Sequence, residues 1–309
     1  MRVKNFTITI LCILGGVSSQ AQQPIYMFSY FKDNGQDGLH LAYSHDGYSY
    51  TALKQDSSFL TPVISKDQLM RDPCIIRGAD LKFHMVWTVS WNAKGIGYAS
   101  SPDLIHWSEQ QYIPVMEQEV AARNCWAPEI TYDERKKQYM IYWSTTIPGR
   151  FSQGDISGDS KYNHRLYYVV TKDFNKFSKT RLLYDRGFNV IDATIHKIGK
   201  QYTMFLKDET RTPPQKNIRT ATSNKLSKNY SFASSPITGH YWAEGPSAIK
   251  VGDDWVVYFD KYTEHKYGAV TSNDLIHWTD ISEKVSFPGG TRHGTVFMIT
   301  QEEFKRLPK

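Results

Sequence analysis

Cysteine is scarce in this chain: there are three in 309 residues, Cys12, Cys74 and Cys125. That excludes a disulfide framework as the organising principle of the fold. Long apolar runs are scarce too. The main one, residues 6–17, lies at the N-terminus, so a polytopic membrane protein is excluded. The formal charge of +6 is mild and no Lys/Arg block concentrates it, which argues against a nucleic-acid partner. No segment carries a sustained helical period with caps, and this argues against a helical fold. What the chain does have is aromatic side chains: 15 Phe, 20 Tyr and 8 Trp. A chain so rich in them can offset its ordering entropy, so disorder is excluded as well.

At the N-terminus Arg2 and Lys4 precede the apolar run, and Ser19-Gln20-Ala21 follows it as a small-x-small site. This order of charge, apolar run and small residues is that of a secretory signal, too short to span a bilayer stably. It predicts that residues 1–21 are removed and that 22–309 form a single secreted or periplasmic domain with no membrane span. Loss of Arg2 and Lys4 takes the net charge from +6 to +4. Cys74 and Cys125 then remain. They could pair in an oxidising compartment, but a domain of this size does not need the staple, and two buried thiols are the default.

The chain repeats itself. Segments of the form Ser/Thr-x-Asp-x-x-x-aromatic recur at Ser44-His45-Asp46 to Tyr50, Ser101-Pro102-Asp103 to Trp107, Thr171-Lys172-Asp173 to Phe177 and Ser272-Asn273-Asp274 to Trp278. A degenerate copy begins at Ser223-Asn224-Lys225, its ring arriving one residue late at Tyr230. The spacing of about 50 to 70 residues is that of propeller blades with inserted loops. Asp followed by a short turn and an aromatic residue suits a surface turn ahead of a strand that packs its ring between blades.

Ahead of each copy lies a short aromatic, β-branched run: 26–31, 83–88, 138–143, 201–206 and 255–259. Each reads as a strand. Four of the five follow another short apolar run, at 74–76, 129–131, 194–196 and 248–250, while the first lacks one. The C-terminal run 294–298 lacks followers, so the two ends complement each other. The expected fold is therefore all-β, a five-bladed β-propeller closed by pairing the N- and C-terminal strands in one blade. A β-sandwich is the rival, but sandwich strands recur every 8 to 12 residues with no longer repeat.

In a propeller the innermost strands line a central channel, and their openings converge at one mouth. Here they read Arg71-Asp72-Pro73, Trp126-Ala127-Pro128-Glu129, Ile191-Asp192-Ala193-Thr194, Ala243-Glu244-Gly245-Pro246 and Arg292-His293-Gly294-Thr295. Asp72, Asp192 and Glu244 are expected at the same position of three blades. A carboxylate in an apolar strand opening needs a partner or a chemical role. Among the tryptophans close to these strands, Trp87, Trp91, Trp126 and Trp143, inter-blade packing competes with stacking on a ligand, and Trp126 is the strongest ligand candidate because it opens its strand. Trp126, Trp87 and Arg292 form the candidate substrate-binding set. Glu129 suits a structural acid equally well. Residues 145–163, rich in Gly and polar side chains, read as an insertion that walls the pocket or as a solvent loop.

The order Asp-Pro, Trp-Ala-Pro-Glu, Ile-Asp, Glu-Gly-Pro and a late His-Gly resembles glycoside hydrolase family 43, over nearly the whole chain from Tyr26 to Thr300. The resemblance implies a glycosidase acting on oligo- or polysaccharides, arabinofuranosidase or xylosidase in type. It makes Asp72 the general base, Glu244 the general acid and Asp192 the acid that orients the donor and tunes its pKa, in an inverting mechanism. It matches His293 to a channel histidine that often sits beside a central calcium or water. No cofactor is required for the chemistry itself, and the expected state is monomeric. Two alternatives stay open: a carbohydrate-binding propeller without catalysis, and a retaining fructan-type hydrolase. The latter shares Arg-Asp-Pro but needs an upstream nucleophile, where Asp33 and Asp37 sit in a Gly-rich turn.

Overall fold

The strand-forming runs are aromatic or apolar at nearly every position, which suits strands buried on both faces rather than one. In the computed structural model, which describes residues 24–151 and 162–309, they become nineteen strands in five small antiparallel sheets. The expected signal segment lies outside the described residues, as does the centre of the insertion, 152–161.

The chain enters through β1 (Ile25–Phe31), β2 (His40–Ser44) and β3 (Thr51–Ala52). The first complete blade is β4 (Arg71–Arg77), β5 (Phe83–Thr88), β6 (Ile96–Ser101) and β7 (Gln111–Ile113). The second is β8 (Trp126–Asp133), β9 (Gln138–Thr146), β10 (His164–Thr171) and β11 (Arg181–Tyr184). The third has three strands, β12 (Val190–Ile198), β13 (Gln201–Asp208) and β14 (Asn217–Ser223). The fourth is β15 (Glu244–Val251), β16 (Asp254–Lys261), β17 (Lys266–Ser272) and β18 (Thr279–Asp280). Finally β19 (Arg292–Ile299) pairs antiparallel with β1, Ile25 opposite Ile299 and Phe28 opposite Val296, and closes the fifth blade from both ends of the chain. The innermost strands β4, β8, β12, β15 and β19 pack side by side around the axis.

Period-two alternation sends each second strand's side chains to two neighbours. On β9, Ile141 and Trp143 join Val86 and Tyr98 of the first blade, while Met140 and Tyr142 join Met204 and Leu206 of the third. Five apolar clusters result, one in each gap between adjacent blades. Cys74 and Cys125 are free, buried thiols.

The repeated outer turn is a local clamp. In Ser101-Pro102-Asp103, the Ser101 hydroxyl accepts from Leu104 N at 2.8 Å, and Asp103 Oδ1 accepts from Ile105 N and His106 N at 2.9 and 2.8 Å. Asp46, Asp173 and Asp274 bond their turns in the same way. The degenerate copy behaves differently. Lys225 supplies no acceptor, and among the described residues the third blade has three strands, β12 to β14. One helix also escapes the sequence reading: α1 (Gln301–Arg306), nucleated by a Thr300/Glu303 capping box.

Candidate active site

Every innermost strand opens with the same irregularity. Pairing breaks between Arg71 and Cys74, Trp126 and Glu129, Ile191 and Thr194, Glu244 and Ser247, and opposite Arg292 to Thr295. These bulges define structurally equivalent positions. The outermost holds Arg71, Trp126, Ile191, Glu244 and Arg292. The next holds Asp72, Ala127, Asp192, Gly245 and His293. Asp72 and Asp192 are thus true equivalents, but Glu244 stands one residue earlier, in line with Arg71 and Arg292, which corrects the expectation of one shared position. Backbone φ is positive at Asp72 (51°), Ala127 (46°), Asp192 (49°) and Gly245 (60°). Non-glycine residues held there store strain of roughly 1–3 kcal/mol each, a common mark of a functional site. Gly245 is needed for space as well, since a Cβ would come within 2.4 Å of the His293 ring.

His293 is the hub. Its Nδ1 lies 3.4 Å from Asp72 Oδ1 and 3.8 Å from Asp192 Oδ2. Burial opposes charge on the ring, but the Asp192 and Asp72 carboxylates outweigh it and push its pKa up to about 9. Burial would likewise raise Asp72, but His293, Arg71 and the Thr88 hydroxyl at 2.8 Å hold its pKa at about 2. Asp192 is pushed up to about 6, by burial first and by the Glu244 charge, against the pull of His293. Its Oδ2 accepts from Gly245 N at 3.1 Å, so Asp192 anchors the peptide that carries Glu244.

Glu244 lies within a chain of alternating charges that sequence reasoning did not find. Its Oε2 is 3.0 Å from Lys207 Nζ and its Oε1 3.3 Å from Arg292 Nη2. Arg292 Nε reaches Asp260 at 2.7 Å, and Lys207 reaches Glu209 at 2.7 Å. Lys216 holds the other oxygen of Glu209. Each cation beside Glu244 therefore has a second carboxylate, and neutralising Glu244 strands neither charge. Burial and Glu244 together push Asp260 up to about 6. A Lys closing the run Phe205-Leu206-Lys207 was the one signal available in the sequence, and it does not reveal its partners.

The tryptophans divide. Trp126 is partly exposed at the mouth, its Nε1 donating to the Trp91 carbonyl at 2.9 Å, and Trp91 is 42% exposed with the Arg71 guanidinium over its ring at 4.3 Å. Trp87 is fully buried, its ring seated against Gly97 within the gap between the fifth and first blades. The expectation that Trp87 contacts sugar is overturned, because the next strand's glycine makes an interior slot for the ring. Trp143 is buried as well, bonded to Thr145. Arg292 keeps part of its guanidinium exposed at the mouth while pairing with Asp260 and Glu244.

Deeper in the channel, Glu129 is buried, and each of its oxygens accepts a hydroxyl, from Thr194 and from Thr295, both at 3.0 Å. Burial pushes its pKa up to about 7. It is held as a structural acid. Among the described residues no three His, Cys, Asp or Glu side chains converge to hold a metal. A cavity of about 620 Å³, lined by Ile113, Val115, Tyr167 and Leu182, lies between outer strands, away from these acids.

Three carboxylates and an imidazole thus gather at the mouth of a closed five-bladed propeller, and a pair of carboxyl groups is what glycoside hydrolysis uses. A family model described as a probable glycosyl hydrolase domain, of the family-43-related group, matches residues 23–305, and the chain belongs to this glycoside hydrolase family. An α-L-arabinofuranosidase of Bifidobacterium longum is 33% identical over 92 residues, 27% of this chain and 8% of that protein's length. The fold is shared with the crystal structure of an α-L-arabinofuranosidase from Lactobacillus brevis (TM-score 0.57, 16% identity, 76% of this chain and 80% of that one). It is shared too with an exo-β-1,3-galactanase from Phanerochaete chrysosporium (TM-score 0.53, 10% identity, 72% and 52%).

Proposed function

We propose that this family-43-type hydrolase is a secreted, monomeric, exo-acting and inverting enzyme that removes terminal α-L-arabinofuranosyl groups from plant-type polysaccharides. The observation that carries the mechanism is the pairing of Asp72 with Thr88 of its own blade and with His293 of the fifth, while Glu244 stands on the fourth, its peptide anchored by Asp192. Asp72, ionised throughout the physiological range, takes a proton from water as the water oxygen attacks the anomeric carbon. Glu244 gives its proton to the glycosidic oxygen as the bond from that oxygen to the anomeric carbon breaks. Solvent then removes the proton from Asp72 and reloads Glu244. Asp192 holds the Glu244–Gly245 peptide and so positions the donor. The reading of the sugar is supported by the stretch similar to the arabinofuranosidase, and secretion by the order of the first 21 residues.

The test is Glu244→Gln assayed on aryl glycosides and on natural oligosaccharides. An aryl leaving group departs without protonation, so the loss should be much larger on the natural substrate. Equal loss on both, with the fold intact, removes Glu244 from the donor role. A nitrophenyl panel of arabinofuranosides, xylosides and galactosides ranks the sugar, with β-xylosidase or galactan activity as the alternative outcomes. Binding without turnover of any of them would instead favour a carbohydrate-binding propeller.

A further inference from the structure

Beside the acids the mouth continues into a cavity of about 420 Å³, walled by Trp91, Trp126, Tyr162, His164, Asn189 and Glu209. Its aromatic wall is continuous. Trp91 and Trp126 meet edge to face at 5.5 Å, and Trp126 stands 4.7 Å from Tyr162 and 4.9 Å from His164.

An imidazole nitrogen of this wall is unsatisfied. Asn189 donates through Nδ2 to the Tyr162 carbonyl at 3.2 Å, which orients its amide. Its Oδ1 then accepts from the His164 backbone N–H at 2.8 Å and faces Nδ1 of the same ring at 3.1 Å. Nδ1 must therefore carry the proton, and Nε2 is left with a bare lone pair. That Nε2 is buried and has no hydrogen-bond partner among the described residues, and His164 as a whole is 1% exposed. Burial holds the ring pKa down at about 4, so His164 is neutral and Nε2 can only accept. A buried acceptor without a donor calls for one from outside the chain. On the same cavity, Glu209 offers a second acceptor group and is tied to Glu244 through Lys207.

We propose that this cavity is the subsite for the sugar on the leaving-group side of the cleaved bond, and that it selects a neutral, hydroxyl-bearing residue whose C–H face lies against Trp126 while one hydroxyl donates to His164 Nε2. An aromatic face beside acceptor-only groups matches a sugar's apolar face and hydroxyl edge. Binding in this mode requires the ring edge to shift so that the buried Nε2 meets that hydroxyl. The assignment of the leaving-group side rests on Glu244 being the proton donor.

The test compares kcat/KM on a trisaccharide with kcat/KM on the nitrophenyl glycoside of the same terminal sugar, using arabinotriose, xylotriose and β-1,3-galactotriose. His164→Leu removes the acceptor and should lower that ratio about tenfold, equivalent to about 1.4 kcal/mol. His164→Gln, which restores an acceptor, should recover part of it. An unchanged ratio overturns the proposal. A second readout needs no turnover: Trp91 and Trp126 should report trisaccharide binding by fluorescence, with affinity about tenfold weaker in His164→Leu. A His164-dependent fluorescence change with no cleavage by the wild type would sink the donor reading and leave the sugar site standing. Normal cleavage and affinity in His164→Leu would sink the sugar site alone. If His164→Leu does not fold, Tyr162→Ala must lower the same ratio, or the proposal fails.

Discussion

The outer turns and the axial strand openings are both repeated around the ring, yet only the outer turns repeat in residue type. Four turns carry Ser or Thr and then Asp two residues later, because each pair bonds the backbone of its own turn and depends on nothing beyond it. At the axis all five openings keep one backbone bulge, but its second position holds Asp, Ala, Asp, Gly and His. Asp72, Asp192 and His293 meet in one shared space, so an Asp at every opening would crowd like charges there. A role played locally tolerates repetition, whereas a role played jointly demands different residues in one geometry.

The comparison breaks most sharply at Asp72. Asp72→Asn should lower kcat on every substrate by about a thousandfold, the usual scale for losing a general base, and no leaving group should rescue it. Retention of activity on any glycoside would place the base elsewhere.

Next is the pH response of the axis. The Asp72 pKa lies below its ordinary 3.8, so its contribution to stability is present above that value and lost as pH falls toward about 2. The His293 pKa lies above its ordinary 6.5, so its contribution is present below that value and lost as pH rises toward about 9. Thermal melts across this range should show stability falling on both flanks, and His293→Gln should flatten the alkaline one. An alkaline fall that survives the substitution would mean another group drives it.

A smaller effect is expected at the rim. Asp103→Ala removes two bonds to backbone N–H groups and should cost about 1–2 kcal/mol by chemical denaturation, with kcat unchanged. A fall in kcat there would couple rim and axis and blur the contrast. Smallest of all is Lys225→Asp in the degenerate turn. Leu226 lacks the positive φ that Gly47, Leu104, Phe174 and Leu275 adopt at the equivalent place, so the new carboxylate meets a differently shaped turn. A change within about 0.5 kcal/mol is expected, and a larger gain would show that the turn can be rebuilt by its Asp alone.

Much of this was legible beforehand, for identifiable reasons. The runs at 138–143 and 201–206 announce strands buried on both faces, and the Asp-containing turns mark blade edges. The offset of Glu244 was written in the chain as well. Pro73, Pro128 and Pro246 occupy the same third position of their openings, and counting back from them separates Glu244 from Asp72. The α1 helix carried its own sign in Thr300 and Glu303 but was too short to show a period. Trp87 and Trp126 could not be told apart, because Gly97, on the next strand, decides which ring is enclosed.

Alternation, turn chemistry and the complementary ends are short-range patterns, so the sequence by itself determined five blades, their closure between β1 and β19, and the acids delivered to the axis. Partnership was decided only by the tertiary structure. Lys207 comes from β13, Glu244 from β15, Arg292 from β19 and Asp260 from β16, and their charges meet only once the ring has closed. The same holds for His293 between Asp72 and Asp192, and for the lone pair of His164. Electrostatic and hydrogen-bond energies depend on distances through space, and a linear order of residues does not contain those distances.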